Sequence, residues 1–292
     1  MKTYQEYHQM IENALSAQLA SLGYIPEQLF EAMDYSLCAG GKRLRPVLLL
    51  AACDTLGGDL AEALPFACAL EMIHTYSLIH DDLPAMDDDA FRRGKPTNHK
   101  VYGEGVAILA GDGLLNMAYE TMLSAPVTLD RPAEAVAAME EIARRAGVRG
   151  MIAGQALDVT LEGQPPRAEY VEYIHEHKTA DLLTAPIVAG LKLAGATEEQ
   201  LEAGRLYGLN LGLAFQITDD LLDLEGDVNL MGKEAGMDAQ RGKMTWPAVF
   251  GAEQAREDAK RCVDKAIDAL SCFGKKADKL RALAAGIIGR KF

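Results

Sequence analysis

Several features are scarce or missing in this chain of 292 residues, and each one excludes a class of protein. Positive charge is scarce: 29 lysines and arginines against 43 aspartates and glutamates leave a net charge of −14, which argues against nucleic acid or an anionic membrane as partner. The five cysteines include no Cys-x-x-Cys pair, which indicates free thiols rather than a disulfide framework. No apolar run is long enough to span a bilayer, and the first residues contain no signal-peptide core. We therefore expect a cytoplasmic protein without stable membrane insertion.

Strand signals are missing too, and helical periodicity dominates what is present. Apolar residues recur at spacings of three and four in QEYHQMIENALSAQL and in EAVAAMEEIARRAGVRGMIAGQALDV. The glycines of AGGKRLRP, residues 39–46, predict the end of one helix and the start of the next. We predict a single all-α domain over residues 1–292, with roughly ten or more helices and a long polar loop at 224–243.

Two aspartate-rich segments, LIHDDLPAMDDD and QITDDLLDLEGD, adjoin apolar helical stretches. Asp219 and Asp223 are four residues apart, so they share one helix face. Pro84 predicts a helix break that would bring Asp87 back toward Asp81. Carboxylates on two separate helices suit Mg²⁺, which takes one or two of them and fills its other positions with water and phosphate. A helix cap or a solvated face explains one cluster equally well, whereas two clusters favour a metal.

Two basic segments stand out against this acidic background. They are GGKRLRP, with Lys42, Arg43 and Arg45, and FRRGKP, with Arg92, Arg93 and Lys95. Guanidinium groups match pairs of phosphate oxygens, and lysine adds a point charge. Each segment alone is also consistent with a solvated loop. Combined with the aspartates, they indicate a diphosphate held by Mg²⁺ and by cationic side chains.

Five segments together resemble the motifs of the trans-isoprenyl diphosphate synthases, in order and spacing over nearly the whole chain. They are GGKRLRP, HDDLPAMDDDAFRRGKPT, GQALDV, HKTADLL and FQITDDLLDLEGD. Within that family the likeness is strongest to the bacterial farnesyl diphosphate synthases, or geranyltranstransferases. The resemblance implies the isoprenoid synthase fold, a single-domain helical bundle around a deep central cavity, and a homodimer. It also implies Mg²⁺-dependent 1′-4 condensation of isopentenyl diphosphate with dimethylallyl and geranyl diphosphate, which gives (2E,6E)-farnesyl diphosphate.

The resemblance also implies roles for individual residues. Three Mg²⁺ ions, replaceable by Mn²⁺, are expected at Asp81, Asp87 and Asp219, with Asp82, Asp220 and Asp223 as further ligands. The allylic diphosphate is expected at Arg92, Lys178, Lys233 and Lys243. Isopentenyl diphosphate is expected at Lys42, Arg45, His74 and Arg93, beneath Phe215. The carbocation is expected to face oxygens of Thr179 and Gln216.

Product length is expected to depend on Tyr76, five residues before Asp81 in HTYSLIHDD. On an ideal helix Tyr76 lies about 7.5 Å further along the axis but about 140° around it. Spacing therefore leaves open whether its ring lines the cavity or packs in the core. Bacterial farnesyl synthases have an aromatic residue at this position, and geranylgeranyl synthases a smaller or more flexible one. The resemblance thus favours a C15 product limited by Tyr76 or its neighbour Ser77, with C20 as the alternative.

A rival hypothesis comes from two Glu-x-x-His motifs. They are EMIH, with Glu71 and His74, and EYIH, with Glu172 and His175. Two such motifs on helices, with two further glutamates, would describe a di-iron carboxylate bundle. That hypothesis leaves both aspartate clusters and both basic segments without a role. A terpene cyclase would lack GGKRLRP, and a non-catalytic subunit would lack one aspartate motif. His8 and His99 are expected at the surface.

Overall fold

The computed structural model describes residues 2–225 and 241–288, and within these ranges nearly all regular structure is helical. The all-α prediction is therefore confirmed. The helices are α1 (Tyr4–Ala20), α2 (Glu27–Leu37), α3 (Leu44–Thr55), α4 (Leu60–Asp81), α5 (Asn98–Tyr102), α6 (Glu104–Leu123), α7 (Pro126–Asp130), α8 (Pro132–Ala146), α9 (Met151–Thr160), α10 (Ala168–Ile174), a π-helix (His175–Ala180), α11 (Asp181–Leu193), α12 (Glu198–Glu225), α13 (Trp246–Phe250), α14 (Ala252–Ala269), a 3₁₀ helix (Leu270–Ala277) and α15 (Asp278–Ile288). Among the described helices, none is long and apolar enough to cross a membrane.

Helix α4 forms the centre of the bundle and carries the first aspartates at its end. It packs against α3 and α6, and its residues are buried around most of its circumference, as expected for a helix surrounded by others. The helix ends at Asp81, ahead of Pro84. The chain then turns back, and the backbone N–H of Asp87 donates to the carbonyl of Asp81 at 2.8 Å. The predicted break is confirmed, and it brings the first aspartate cluster together.

The segment 134–159, in which apolar residues recur at helical spacing, is divided between α8 and α9. The interruption runs from Gly147 to Gly150. A Cβ at Gly150 would lie 2.1 Å from the carbonyl oxygen of Arg145, so this turn requires glycine. Because of the break, α9 packs against the π-helix instead of continuing the direction of α8. The motif GQALDV is carried on α9.

The π-helix is held between α9 and α12, which approach it closely at glycines. A Cβ at Gly154 would lie 2.2 Å from the backbone nitrogen of Lys178, and one at Gly212 would lie 2.3 Å from the Cα of Ala180. A π-turn is wider than an α-turn and is often found at functional sites. The close packing fixes the backbone that carries Lys178 and Thr179.

One hairpin interrupts the helices: β1 (Phe91–Arg92) pairs antiparallel with β2 (Lys95–Pro96). Its turn residues Arg93 and Gly94 have φ of 52° and 75°, the left-handed values that a tight two-residue turn requires. Strands of two residues leave no alternating pattern, so the sequence did not predict this hairpin. Nη1 of Arg93 donates to the carbonyl of Gly40 at 2.5 Å. The hairpin thereby joins the two basic segments.

Arg43 anchors the loop between α2 and α3 to the core. It is 3% exposed, and its Nη1 and Nε donate to Glu71 at 2.7 Å and to Glu12 at 2.6 Å. Its Nη2 donates to the carbonyl of Leu37 at 2.7 Å. Burial alone would lower the pKa of Arg43, but the two carboxylates outweigh it and raise the pKa. Arg43 therefore serves as a buried cation that ties the loop to α1 and α4.

This buried ion pair should contribute measurably to stability. We expect Glu71→Gln to lower the free energy of unfolding by about 3 kcal/mol, because the change leaves a buried guanidinium with less compensation. Glu198→Gln is the matched control, since the Glu198 side chain is 76% exposed in its pair with Arg205, and about 0–1 kcal/mol is expected. Urea unfolding of the three proteins measures both values. Equal effects of the two substitutions would contradict the anchoring role.

Candidate functional site

A cavity of about 610 Å³ lies beside the C-terminal half of α4. Its wall is formed mainly by α4, α9 and the π-helix. Asp81, Gln155 and Lys178 contribute polar groups to the wall, and Met151 and Leu182 contribute apolar surface. Such a cavity suits a long apolar molecule with an anionic head group.

The first aspartate cluster is compensated by cations from other elements. Asp82 is buried and accepts three hydrogen bonds of 2.7–2.9 Å from Arg92. Asp87 accepts a hydrogen bond from Nζ of Lys243 at 3.0 Å. Burial, and secondarily the charge of Asp87, raises the pKa of Asp81 to about 6 although Lys178 opposes the shift. The carboxylate of Asp81 is thus the group in this cluster that would gain most from a bound cation.

In the second cluster, Asp220 is occupied by protein donors. It is 3% exposed and accepts from the backbone N–H of Trp246 at 2.8 Å and from Nε2 of Gln216 at 2.9 Å. Nε2 of His175 lies 3.1 Å from Oδ2 of Asp220. Asp220 was predicted as a further metal ligand, and in this structure it contacts Gln216, His175 and the backbone of Trp246.

Asp220 has neighbours on α12 and on the π-helix that were also predicted as site residues. The hydroxyl of Thr179 donates to Oε1 of Gln216 at 2.6 Å, so the two predicted carbocation-facing residues are in direct contact. Asp219 and Asp223 are partly exposed on the same helix, whereas Asp220 between them is buried. The structure therefore distinguishes one buried aspartate from two that are only partly buried.

Sequence reasoning gave no role to Gln155 and Asp158, although it singled out the motif GQALDV that contains them. Nε2 of Gln155 donates to Asp81 at 3.0 Å. Asp158 is 6% exposed and accepts from Nζ of Lys178 at 2.5 Å, and Nζ of Lys243 lies 3.8 Å from it. An amide and a carboxylate three residues apart share one helix face. That spacing in GQALDV is the sequence feature that could have identified Gln155 and Asp158 as site residues. Asp158 holds two cations that were predicted to bind a diphosphate.

The basic residues around His74 create a site of positive potential. Nη1 of Arg45 lies 3.3 Å from Nε2 of His74. Burial, followed by the charges of Arg45 and Arg93, lowers the pKa of His74 well below its usual value. His74 is therefore neutral, and its Nε2 accepts from Arg45. The arginine charges that add to the effect of burial on this pKa are charges that would attract an incoming anion.

Tyr76 lines the cavity and is also packed in the core. It is 7% exposed, and its ring meets the ring of His80 edge-on at 5.7 Å. Burial, together with Tyr119 and Asp81, raises the pKa of Tyr76 to about 12. A Cβ at Gly111 would lie 2.2 Å from Nε2 of His80, so α6 approaches closely behind this pair. Ser77, the second residue predicted to limit chain length, lines the same cavity.

Three other predicted residues lie elsewhere, and a fourth falls outside the described part of the chain. Lys233 lies outside the residues that the structure describes. Phe215 packs partly buried against the main core, and Lys42 is exposed on the α2–α3 loop, so neither lines this cavity. The prediction of a surface position for His99 is wrong: it is 6% exposed, and its Nδ1 lies 3.2 Å from the hydroxyl of Thr97.

The residues present fit Mg²⁺ better than a preformed iron site. Across 2–225 and 241–288, no three His, Cys, Asp or Glu side chains converge into a metal cage. Mg²⁺ does not need one, because water and substrate phosphate complete its octahedron. Oε1 of Gln155 is buried and has no hydrogen-bond partner among the described residues, and it adjoins Asp81. A hydrated cation would satisfy both groups. The di-iron hypothesis fails because Glu71 is paired with Arg43 and Glu172 is exposed.

Comparison with known proteins gives concordant matches along the chain. The family model described as polyprenyl synthetase matches residues 26–284. Geranylgeranyl pyrophosphate synthase 9, chloroplastic, of Arabidopsis thaliana is 48% identical over 269 residues, which cover 91% of this chain and 75% of the relative. Geranylgeranyl diphosphate synthase of Cyanophora paradoxa is 45% identical over 267 residues, 91% of this chain and 88% of the relative. The crystal structure of an FPP/GFPP synthase from Zymomonas mobilis matches with a TM-score of 0.86 at 36% identity, over 98% of this chain and 97% of that one.

The raised pKa of Asp81 predicts opposite effects on stability and on metal binding. Since its folded pKa of about 6 exceeds the ordinary value of 3.8, its charge is unfavourable at pH 7. We expect Asp81→Asn to raise the melting temperature of the metal-free protein at pH 7. Acidification from pH 7 to 5 should stabilise the metal-free wild type more than this variant. Adding Mg²⁺ with inorganic diphosphate should raise the melting temperature of the wild type more than that of Asp81→Asn.

Asp88→Asn is the matched control for that experiment. Asp88 belongs to the same segment, its side chain is 60% exposed, and its φ of 49° suits asparagine. We expect this control to retain the response to Mg²⁺ and diphosphate. An Asp81→Asn protein that melts below the wild type at pH 7, or that responds fully to Mg²⁺, would contradict the assignment.

Proposed function

The chain belongs to the polyprenyl synthetase family, and from that premise we propose a Mg²⁺-dependent head-to-tail condensation as its reaction. The substrates are isopentenyl diphosphate and an allylic partner, first dimethylallyl and then geranyl diphosphate. The observation that carries this proposal is an apolar cavity at whose polar end aspartates meet cations from the hairpin, the π-helix and the segment before α13. That combination suits the transfer of a prenyl group away from diphosphate.

The allylic diphosphate is held by cations that now contact aspartates. Arg92, Lys178 and Lys243 are bound to Asp82, Asp158 and Asp87. Substrate oxygens would compete for the same N–H groups. Asp81, Asp87 and Asp219 would hold Mg²⁺, which when bound neutralises the charge that develops on the leaving diphosphate. Fixed cations stabilise that charge without reorganising during the reaction.

The reaction breaks the C1–O bond of the allylic substrate, and the electron pair leaves with the diphosphate. The positive charge left on the allylic carbons faces the oxygens of Thr179 and Gln216. Their orientation is maintained by the hydrogen bond between them and by Asp220. The apolar wall, including Met151 and Leu182, excludes the water that would otherwise capture the cation.

The double bond of isopentenyl diphosphate then attacks C1 through its C4 and forms the new carbon–carbon bond. The resulting tertiary cation loses a proton from C2, and the departed diphosphate accepts it. The product is an allylic diphosphate one isoprene unit longer, so it can react again. Arg45, His74 and Arg93 bind the diphosphate of the isopentenyl substrate, with Lys42 from the loop beside them.

Product length has two candidates. The curated relatives favour a geranylgeranyl, C20 product, because both relatives described above are named for it. The geometry favours farnesyl diphosphate, C15, because the ring of Tyr76 lines the cavity along the path of a growing chain. Identity over some 270 residues reflects the whole fold, whereas chain length depends on the few side chains that line the cavity. We therefore propose C15 as the main product and C20 as the second candidate.

A homodimer is part of the proposal. Helix α6 presents Ile108 and Leu109, which are 43% and 58% exposed, on its outer face. Adjacent exposed aliphatic side chains are typical of a surface that another protein covers. A second copy of the chain would bury them, and sedimentation velocity would show the dimer.

The proposed assignment of the two diphosphate sites predicts a selective kinetic effect. Arg45→Ala should raise the KM for isopentenyl diphosphate roughly ten- to a hundredfold, since one charged hydrogen bond contributes about 1.5–3 kcal/mol. The KM for geranyl diphosphate should change much less. Arg205→Ala, which removes an exposed cation of α12, is the control and should change neither value. Equal increases for both substrates would indicate a general structural effect of Arg45.

The chain-length proposal predicts a change in product. Wild-type protein incubated with dimethylallyl and isopentenyl diphosphates should stop at C15, as measured by chromatography of the dephosphorylated products. Tyr76→Ala should shift products to C20 and longer with little loss of the first condensation, because the cavity becomes deeper. Tyr76→Phe keeps the ring and should still stop at C15. A wild type that makes C20 would reject the farnesyl proposal while leaving the prenyl transfer intact.

A further inference from the structure

Helix α1 lies before the segment 26–284 that the family model matches, yet it contacts a loop at the proposed site. One face of α1 is buried in the core through Tyr7, Ile11, Leu15 and Leu19. A second row, Tyr4, His8 and Glu12, recurs every four residues and lies along the loop between α2 and α3. This row is separate from the core face.

Each residue of the row holds one of three consecutive loop residues. The contacts are the hydroxyl of Tyr4 donating to the carbonyl of Lys42, Nε2 of His8 donating to the carbonyl of Gly41 at 2.8 Å, and Glu12 accepting from Nε of Arg43 at 2.6 Å. Nη1 of Arg93 donates to the preceding carbonyl, that of Gly40. The carbonyls of residues 40–42 are thus each bound by a side chain from another element.

The backbone of this loop requires such support. Gly40, Gly41 and Arg43 have φ of 79°, 137° and 47°. A non-glycine residue in the left-handed region costs about 1–2 kcal/mol. Such a conformation persists only where the surrounding structure imposes it. Contacts from α1, α4 and the hairpin supply that constraint.

Helix α1 can act as a rigid support because it is itself fixed to α3. The hydroxyl of Tyr7 donates to Oδ2 of Asp54 on α3 at 2.5 Å. The first turn of α3 carries Arg45, and the loop before it carries Lys42. Through α1, the position of the loop is therefore tied to the helix that bears the second cation.

We propose that α1 is a positioning element for the isopentenyl substrate. Tyr4 and His8 hold the loop so that Lys42 and Arg45 reach the same diphosphate. This inference rests on the proposed function, because it assigns those two cations to isopentenyl diphosphate. Tyr4 and His8 are positioning residues, since they act through loop carbonyls.

The test uses the full-length protein with Tyr4→Phe, His8→Leu and the double variant. Tyr4 is 37% exposed and the His8 side chain 32% exposed, so neither change opens the core. Each single change should raise the KM for isopentenyl diphosphate roughly three- to tenfold, the size expected for one net hydrogen bond. The KM for geranyl diphosphate should stay unchanged. Amide hydrogen exchange across residues 40–44 should become faster.

Two controls separate positioning from general damage. Tyr24→Phe removes a hydroxyl from a residue that is 99% exposed and should change nothing. His8→Gln keeps an N–H donor that can reach the carbonyl of Gly41, and it should restore much of the wild-type KM.

Three results would overturn the inference: an unchanged KM for isopentenyl diphosphate, an equal rise for both substrates, or unchanged exchange at 40–44. If the wild type does not consume isopentenyl diphosphate, the proposed function itself has failed. The exchange measurement then still shows, without any substrate, whether Tyr4 and His8 hold the loop.

Discussion

Charge compensation at the polar end of an apolar cavity is the constraint on which the rest of this structure depends. Two like charges about 4 Å apart repel by about 4 kcal/mol at an effective dielectric of 20, so clustered aspartates need nearby cations. Arg92 from the hairpin compensates Asp82, and Lys178 from the π-helix compensates Asp158. Arg92 and Lys178 lie 10 and 20 residues from their partners, whereas Lys243 reaches Asp87 across 156 residues. The helices must therefore pack in the register that brings Lys243 to the first aspartate cluster. The same pairs leave the site ready for an anion, because a substrate only has to exchange for an aspartate.

The two basic segments are parts of one unit. Arg93 joins the hairpin to the α2–α3 loop through the carbonyl of Gly40, and Arg43 joins that loop to α1 and α4. Arg43 and its neighbour Arg45 look alike in the sequence but have different roles. Arg43 is buried between two carboxylates, whereas Arg45 lines the cavity beside His74. Arg43 thus holds the loop, whereas Arg45 faces the cavity.

The sequence relatives and the cavity wall favour different lengths for the product. The curated relatives described here are geranylgeranyl synthases, whereas the ring of Tyr76 lies on the cavity wall with His80 and Gly111 behind it. Because the backbone of α6 at Gly111 packs directly against His80, the rings of Tyr76 and His80 have little freedom to move aside. Under the proposed function, residues of α6 as well as α4 would therefore limit the length of the product.

The sequence by itself determined the helical class, the helix break at Pro84 and the chemistry of the aspartate and arginine motifs, because periodicity, proline and charge act locally. It could not assign Asp158 or Gln155 a role, or distinguish Asp220 from Asp219, since those roles depend on which side chains meet across helices. Ideal helix spacing also left the position of the Tyr76 ring open. Only the tertiary structure decided these points, because packing determines which cation reaches which carboxylate and which ring faces the cavity.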